Sequence, residues 1–139
     1  MDTDRADRSL LVVDDDPLIR LTFEAALAGH GYRVTTAGDL QAAAEAASAG
    51  ADPDAVLLDA TVPGCSLSES LDLLRRRPDG TLRPILVMSG SLTRPAELAG
   101  TGIGYLTKPI PLTELLDAVT ELLASVAGTA ADGAEAGRR

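Results

Sequence analysis

The stretch Leu10-Leu11-Val12-Val13-Asp14-Asp15-Asp16-Pro17 decides how the rest of the chain is read. Four consecutive aliphatic residues offer no polar face to water, so the run is a strand covered on both sides, as inside a parallel sheet. It stops in three acids and a proline. Asp16 before Pro17 is a helix start, because an Asp side chain caps the first free N–H groups and proline lacks the one that needs no partner. Asp14 and Asp15 are left as carboxylates at the end of a buried strand.

The same alternation of short apolar run and helical pattern recurs outward from this point. A helix is expected from Pro17 to Gly29, with Ile19, Phe23 and Ala26/Leu27 at helical spacing and His30-Gly31 ending it. A strand from Tyr32 to Ala37 follows, then a helix from Leu40 to Ala49 capped by Asp39. The next strand is Ala55 to Asp59, followed by a helix around Ser68 to Arg76, whose Arg75-Arg76-Arg77 run would complement the dipole at its end. Strands Pro84 to Ser89 and Ile103 to Thr107 flank a weakly patterned stretch, Leu92 to Gly102, with room for about two helical turns. A last helix from Leu112 carries Leu115, Leu116, Val119, Leu122, Leu123 and Val126 at i, i+3, i+4, i+7 spacing. Five β/α units make an open, doubly wound parallel sheet, being too few to close a barrel.

Composition agrees with one domain over residues 9–127, between disordered ends at 1–8 and 128–139. Of 139 residues 45% are hydrophobic, yet Phe23, Tyr32 and Tyr105 are the only aromatics, so the core is built from Leu, Val, Ile and Ala. The net charge of −9 argues against a surface for nucleic acid or an anionic membrane, both of which need basic charge. No apolar run approaches the roughly 20 residues of a membrane span, and the charged first residues do not form a signal peptide. Cys65 is the single cysteine, so no internal disulfide framework exists, which fits a reducing cytoplasm. Lys108 is the single lysine, every other basic residue being Arg.

In open sheets of this kind ligands bind at the carboxyl ends of the strands. Two neighbouring strands ending in Asp14-Asp15 and Asp59 would bring carboxylates about 4–7 Å apart, where each pair repels by roughly 2–4 kcal/mol at an effective dielectric of 20. A cation must compensate, and Mg²⁺, which takes hard oxygen ligands and keeps open positions for water or phosphoryl oxygen, is the simplest choice. Ser89 and Lys108 end the other two strands of interest. Lys is a compact charge suited to a phosphoryl oxygen, unlike the planar fork of Arg.

These residues resemble the receiver domains of two-component response regulators. Leu11-Val12-Val13-Asp14-Asp15-Asp16-Pro17, Val56-Leu57-Leu58-Asp59 with Pro63 beyond it, Leu86-Val87-Met88-Ser89-Gly90 and Tyr105-Leu106-Thr107-Lys108-Pro109 match the family's blocks in order, over about residues 9–126. The resemblance implies a flavodoxin-like (β/α)5 fold with strand order 2-1-3-4-5. It implies that Asp59 accepts a phosphoryl group from a histidine kinase or histidine phosphotransfer protein. Asp14, Asp15 and Asp59 would hold Mg²⁺, with the carbonyl of Thr61 as a further ligand. Lys108 would pair with Asp59 and then with the phosphoryl group, Ser89 and Tyr105 would be the switch residues, and Lys108-Pro109 would be cis. Such a chain catalyses its own phosphorylation and dephosphorylation but turns over no separate substrate.

The resemblance further implies an unidentified protein as output partner, with a phosphorylation-dependent homodimer among the options. The reading is of a stand-alone receiver, of the type associated with hybrid kinases where helix four is shortened. Ser66 and Leu67 depart from the acidic-Gly pair common in the family and imply a non-standard loop from Ala60 to Leu67. Two competing readings stay open: a pseudo-receiver that docks without phosphorylation, and a small aspartate-dependent phosphohydrolase, which would be expected to show an Asp-x-Asp pair and more chain for a cap.

Overall fold

Strands β1 (Ser9–Val13), β3 (Ala55–Asp59) and β4 (Ile85–Ser89) are buried along their whole length, as unbroken aliphatic runs require. They form the centre of a five-stranded parallel sheet whose edges are β2 (Arg33–Ala37) and β5 (Gly104–Thr107), in the order β2-β1-β3-β4-β5. The computed structural model describes residues 8–48 and 52–131, with side chains as far as Ala124. Of the ends expected to be disordered, 1–8 and 128–139, residues 1–7 and 132–139 lie outside the described residues, as does the last residue of the helix expected to reach Ala49.

Alternate residues of each central strand feed the two faces. Leu11, Val13, Val56, Leu58, Ile85 and Val87 pack beneath α2 (Leu40–Ser48) and α3 (Leu67–Arg75), joined by Ala43, Ala47, Leu71 and Leu74. The small alanines let α2 lie close to the sheet. On the opposite face Leu10, Val12, Leu57, Leu86 and Met88 meet Phe23 and Leu27 of α1 (Pro17–Gly29) and Leu115, Val119 and Leu123 of α4 (Leu112–Ala131). Among the described residues no helix is long and apolar enough to cross a membrane.

Helix starts follow the local chemistry. Asp16 caps α1 by accepting the Leu18 N–H, and Asp39 accepts the Ala42 N–H at the start of α2. In the Ala60–Leu67 loop Ser66 and Glu69 form a reciprocal capping box, so α3 starts at Leu67 where the departure from the family pattern had pointed to an irregular loop. Helix α4 runs to Ala131, past Gly128, where the tail was expected to begin.

Two expectations are corrected. The segment Leu92 to Gly102 holds one short 3₁₀ turn, Ala96–Leu98, in place of two helical turns, leaving four α-helices among the described residues in place of five. Ser91 and Thr93 are the reason on one side, because the Ser89 and Ser91 hydroxyls take the Ser91 and Thr93 N–H groups in local turns that compete with a helix. Pro95 precedes the turn, and Gly100 and Gly102 with positive φ end it. The arginine run does not serve a helix dipole as a unit. Only Arg75 lies in α3, and it donates to the Thr101 carbonyl, while Arg76 reaches Gly80 and Arg77 pairs with Asp52.

Candidate functional site

Strand order reverses at β1, which has β2 on one side and β3 on the other, and the register sets the two strand ends level. Val13 faces Leu58 across the β1/β3 pair, so Asp14 and Asp59, each one residue further on, reach the same edge. Asp14 is completely buried, Asp59 is 3% exposed and Asp15 lies open to solvent. Carboxylate oxygens of all three lie within 4.8 Å of one another.

Lys108, following β5, extends into this group. Its ammonium lies 2.7 Å from Asp14 Oδ2 and 3.6 Å from Asp59 Oδ1. Burial pushes the Lys108 pKa down, but the hydrogen bond and charge of Asp14, with the charge of Asp59, outweigh it and hold the ammonium above its ordinary value. The Lys108-Pro109 bond is cis. Asp14 Oδ1 accepts the Asp16 N–H, and Asp59 Oδ1 accepts both the N–H and the hydroxyl of Thr61 at 3.1 Å. Asp59 Oδ2 has no donor among the described residues. Because no fully buried side-chain polar atom among the described residues lacks a partner, that oxygen keeps some contact with solvent.

The remaining sequence candidates, Ser89 at the end of β4 and Tyr105 within β5, border the loop that follows β4. Ser89 is buried at the end of β4, and its hydroxyl accepts the Ser91 N–H at 3.1 Å. Tyr105 donates its hydroxyl to the carbonyls of Ser91 and Thr93, and Thr107 also donates to Ser91. The loop after β4 is therefore stitched to β5 by side chains. The structure thus brings together Asp14, Asp15, Asp59 and Lys108, with Thr61 hydrogen-bonded to Asp59, and puts Ser89 and Tyr105 on one loop network next to them.

Sequence reasoning missed Arg20. Its guanidinium donates to the Asp14 carbonyl at 2.7 Å. An arginine in the first turn of the helix leaving an acid-rich strand end was the available signal.

Three carboxylates against one ammonium leave the cluster with surplus negative charge. The donors are hard oxygens without sulfur or imidazole, a set that suits a small divalent cation of the Mg²⁺ type. A family model described as "Response regulator receiver domain" matches residues 10–120. The chain belongs to that family. Receiver domains of response regulators take phosphate from histidine kinases.

Two curated relatives are similar to this chain. The transcriptional regulatory protein TcrA of Mycobacterium tuberculosis is 40% identical over 107 residues, covering 76% of this chain and 42% of TcrA. The transcriptional activator protein PfeR of Pseudomonas aeruginosa is 38% identical over 117 residues, 82% of this chain and 37% of PfeR. This receiver spans about half, or less, of the length of the curated relatives it matches. Among solved structures, the chemotaxis response regulator CheY4 of Vibrio cholerae superposes with a TM-score of 0.74 at 28% identity, over 84% of this chain and 98% of CheY4.

Proposed function

We propose that this receiver accepts a phosphoryl group on Asp59 from the phosphohistidine of a histidine kinase or phosphotransfer protein, with Mg²⁺ as cofactor. The observation that carries the reading is the surplus of carboxylates around one lysine at the sheet's switch point. Asp14, Asp15 and Asp59 would hold the ion, with the Thr61 carbonyl as a further ligand. When bound, Mg²⁺ supplies charge neutralisation for the incoming phosphoryl oxygens.

Asp59 Oδ2 is the attacking oxygen, since the Thr61 donors and Lys108 all address Oδ1. Its bond to phosphorus forms as the bond from phosphorus to the donor imidazole nitrogen breaks, and the electron pair returns to the ring. Little covalent help is needed, so the chain's part is positioning and charge. Lys108 can release Asp14 and follow the new charge on the phosphoryl group.

Ser89 gives the transfer its mechanical consequence. When the Ser89 side chain turns to donate its proton to a phosphoryl oxygen, its hydroxyl moves away from the Ser91 N–H, and the loop whose Ser91 carbonyl is held by Tyr105 and Thr107 loses an anchor. Phosphorylation brings roughly −2 of charge, enough to bias such a two-state element. The proposed output is contact with a protein partner in the cytoplasm. The net charge of −9 supports protein over nucleic acid as the partner of this segment, although the relatives' names refer to transcription.

Incubation with a small acyl phosphate and Mg²⁺ labels the wild type and leaves Asp59→Asn unlabelled. Label that persists in the variant would falsify the assignment, and a wild type that takes no label favours the pseudo-receiver. Lys108→Arg keeps the charge but not the compact shape, and is expected to impair the phosphorylation-driven change in partner binding.

A further inference from the structure

Asp14 is held at four points. Its N–H donates to the Ala37 carbonyl at 3.1 Å, Oδ1 accepts from Asp16 at 3.0 Å, Oδ2 takes Lys108 at 2.7 Å, and its carbonyl oxygen accepts from Arg20 Nη1 at 2.7 Å. The first three follow from sheet pairing, the turn into α1 and opposite charge. The fourth spans six residues back from the first turn of α1, and a charged donor makes it stronger than a neutral bond.

That carbonyl belongs to the peptide unit joining Asp14 to Asp15. The unit is planar, so fixing its oxygen fixes the direction in which the chain delivers Asp15. Asp15 is exposed, and its carboxylate has no donor of its own among the described residues. Its aim is set through the main chain.

Gly38, just after β2, makes room for the guanidinium. A Cβ at that position would lie 2.8 Å from Arg20 Nη1 and 3.3 Å from Cζ. The backbone itself does not call for glycine, because Gly38 is not among the residues with positive φ. The missing side chain at residue 38 therefore serves the approach of Arg20.

We propose that Arg20, seated against Gly38, is a positioning residue that orients the Asp14–Asp15 peptide so that both carboxylates face one divalent cation. The proposal rests on the reading in which Asp14, Asp15 and Asp59 hold Mg²⁺. Position and charge make opposite predictions for Arg20. As a mere positive charge near the acids it competes with the cation, and its removal would tighten Mg²⁺ binding. As a positioning group its removal loosens it.

The test is calorimetric titration of the full chain with Mg²⁺ alone, for wild type, Arg20→Ala, Gly38→Ala and the double variant. Each single variant is expected to bind Mg²⁺ about tenfold more weakly, the lower end of what losing an outer contact costs a metal site. Gly38→Ala leaves the charge unchanged and meets only the end of a flexible side chain, so it folds and reports displacement even where Arg20→Ala does not fold. The double variant binds no more weakly than Arg20→Ala, because both changes remove one contact. Unchanged or tighter binding in Arg20→Ala, wild-type affinity in Gly38→Ala, or additive losses in the double variant overturn the positioning role while leaving the receiver site intact. A wild type that binds no Mg²⁺ overturns the site reading and this role with it.

Discussion

The two ends of the sheet hold buried charge in opposite ways. Just before β4, Arg83 is 3% exposed, and its guanidinium is saturated: Nε and Nη2 donate to Asp52 Oδ1 at 3.0 and 2.6 Å, Nη1 to the Leu74 and Arg76 carbonyls at 2.9 and 3.4 Å, and Nη2 to the Ala47 carbonyl at 3.4 Å. At the carboxyl end Asp14 and Asp59 are buried as deeply, yet the three clustered carboxylates meet one lysine, which pairs with Asp14 and Asp59, while among the described residues Asp15 and one Asp59 oxygen have no donor. A saturated network has no valence left for a ligand. An unbalanced one is completed only by something brought from outside, which is why the surplus marks the working end.

The largest expected effect comes from the saturated end. Arg83→Met keeps an apolar stem and removes every donor, leaving the Leu74 and Ala47 carbonyls without that partner in the interior. Urea unfolding should show a loss of about 2–4 kcal/mol. Mg²⁺ affinity of the folded protein should stay within about twofold, sites this far apart being nearly additive. A tenfold loss of Mg²⁺ affinity would break the comparison by coupling the two ends.

How far each end was legible in the sequence follows from the same contrast. Asp14, Asp15, Asp59 and Lys108 were legible because each directly ends or follows a strand, and parallel strands deliver their carboxyl ends to one edge. Arg83 was not, because its partners Asp52, Leu74 and Ala47 come from three separate segments that only the packing of α2 and α3 on the sheet brings together. Arg20 was missed because it bonds a main-chain oxygen, a choice that no charge pattern announces. The strands and capped helices were visible from apolar runs and from Asp16 and Asp39. The helix expected between Leu92 and Gly102 was wrong because the side-chain turns of Ser89 and Ser91, with Pro95 and the two glycines, outweigh a single buried anchor, Leu98.

The metal sharpens the comparison from the other side. Saturating Mg²⁺, about a hundredfold above its dissociation constant, should raise the stability of the wild type by about 2.7 kcal/mol, whereas EDTA returns it to the metal-free value. Asp59→Asn should gain far less. Without metal the same variant should be more stable than wild type by about 1 kcal/mol, because removing one of three clustered charges relieves more repulsion than the longer Lys108 contact returned. Thermal and urea unfolding with and without Mg²⁺ measure both numbers. A metal-free Asp59→Asn that is less stable than wild type would mean that the cluster is already balanced, like the Arg83 network.

The smallest effect tests why the working end can move. Tyr105 makes two hydrogen bonds to loop carbonyls, but both lie at the exposed surface, where water replaces a lost partner. Tyr105→Phe should therefore reduce stability by only about 0.5–1 kcal/mol, the net worth of an ordinary hydrogen bond. Amide exchange in residues 91–95 should quicken, while the rate of labelling by acyl phosphate stays as in wild type, since the Tyr105 hydroxyl bonds the loop carbonyls and not the four charged residues. Arg83 ties α2 and α3 to the sheet and Tyr105 ties a loop to it, both through carbonyl oxygens, but Arg83 does so from the interior with a charged group and Tyr105 at the surface with a neutral one. A tie that water can replace can be exchanged for a new one when Ser89 turns toward a phosphoryl group; a tie buried like that of Arg83 cannot. Tyr105→Phe that destabilises as much as Arg83→Met would show the loop to be part of the core and would remove the loop as the element that phosphorylation biases.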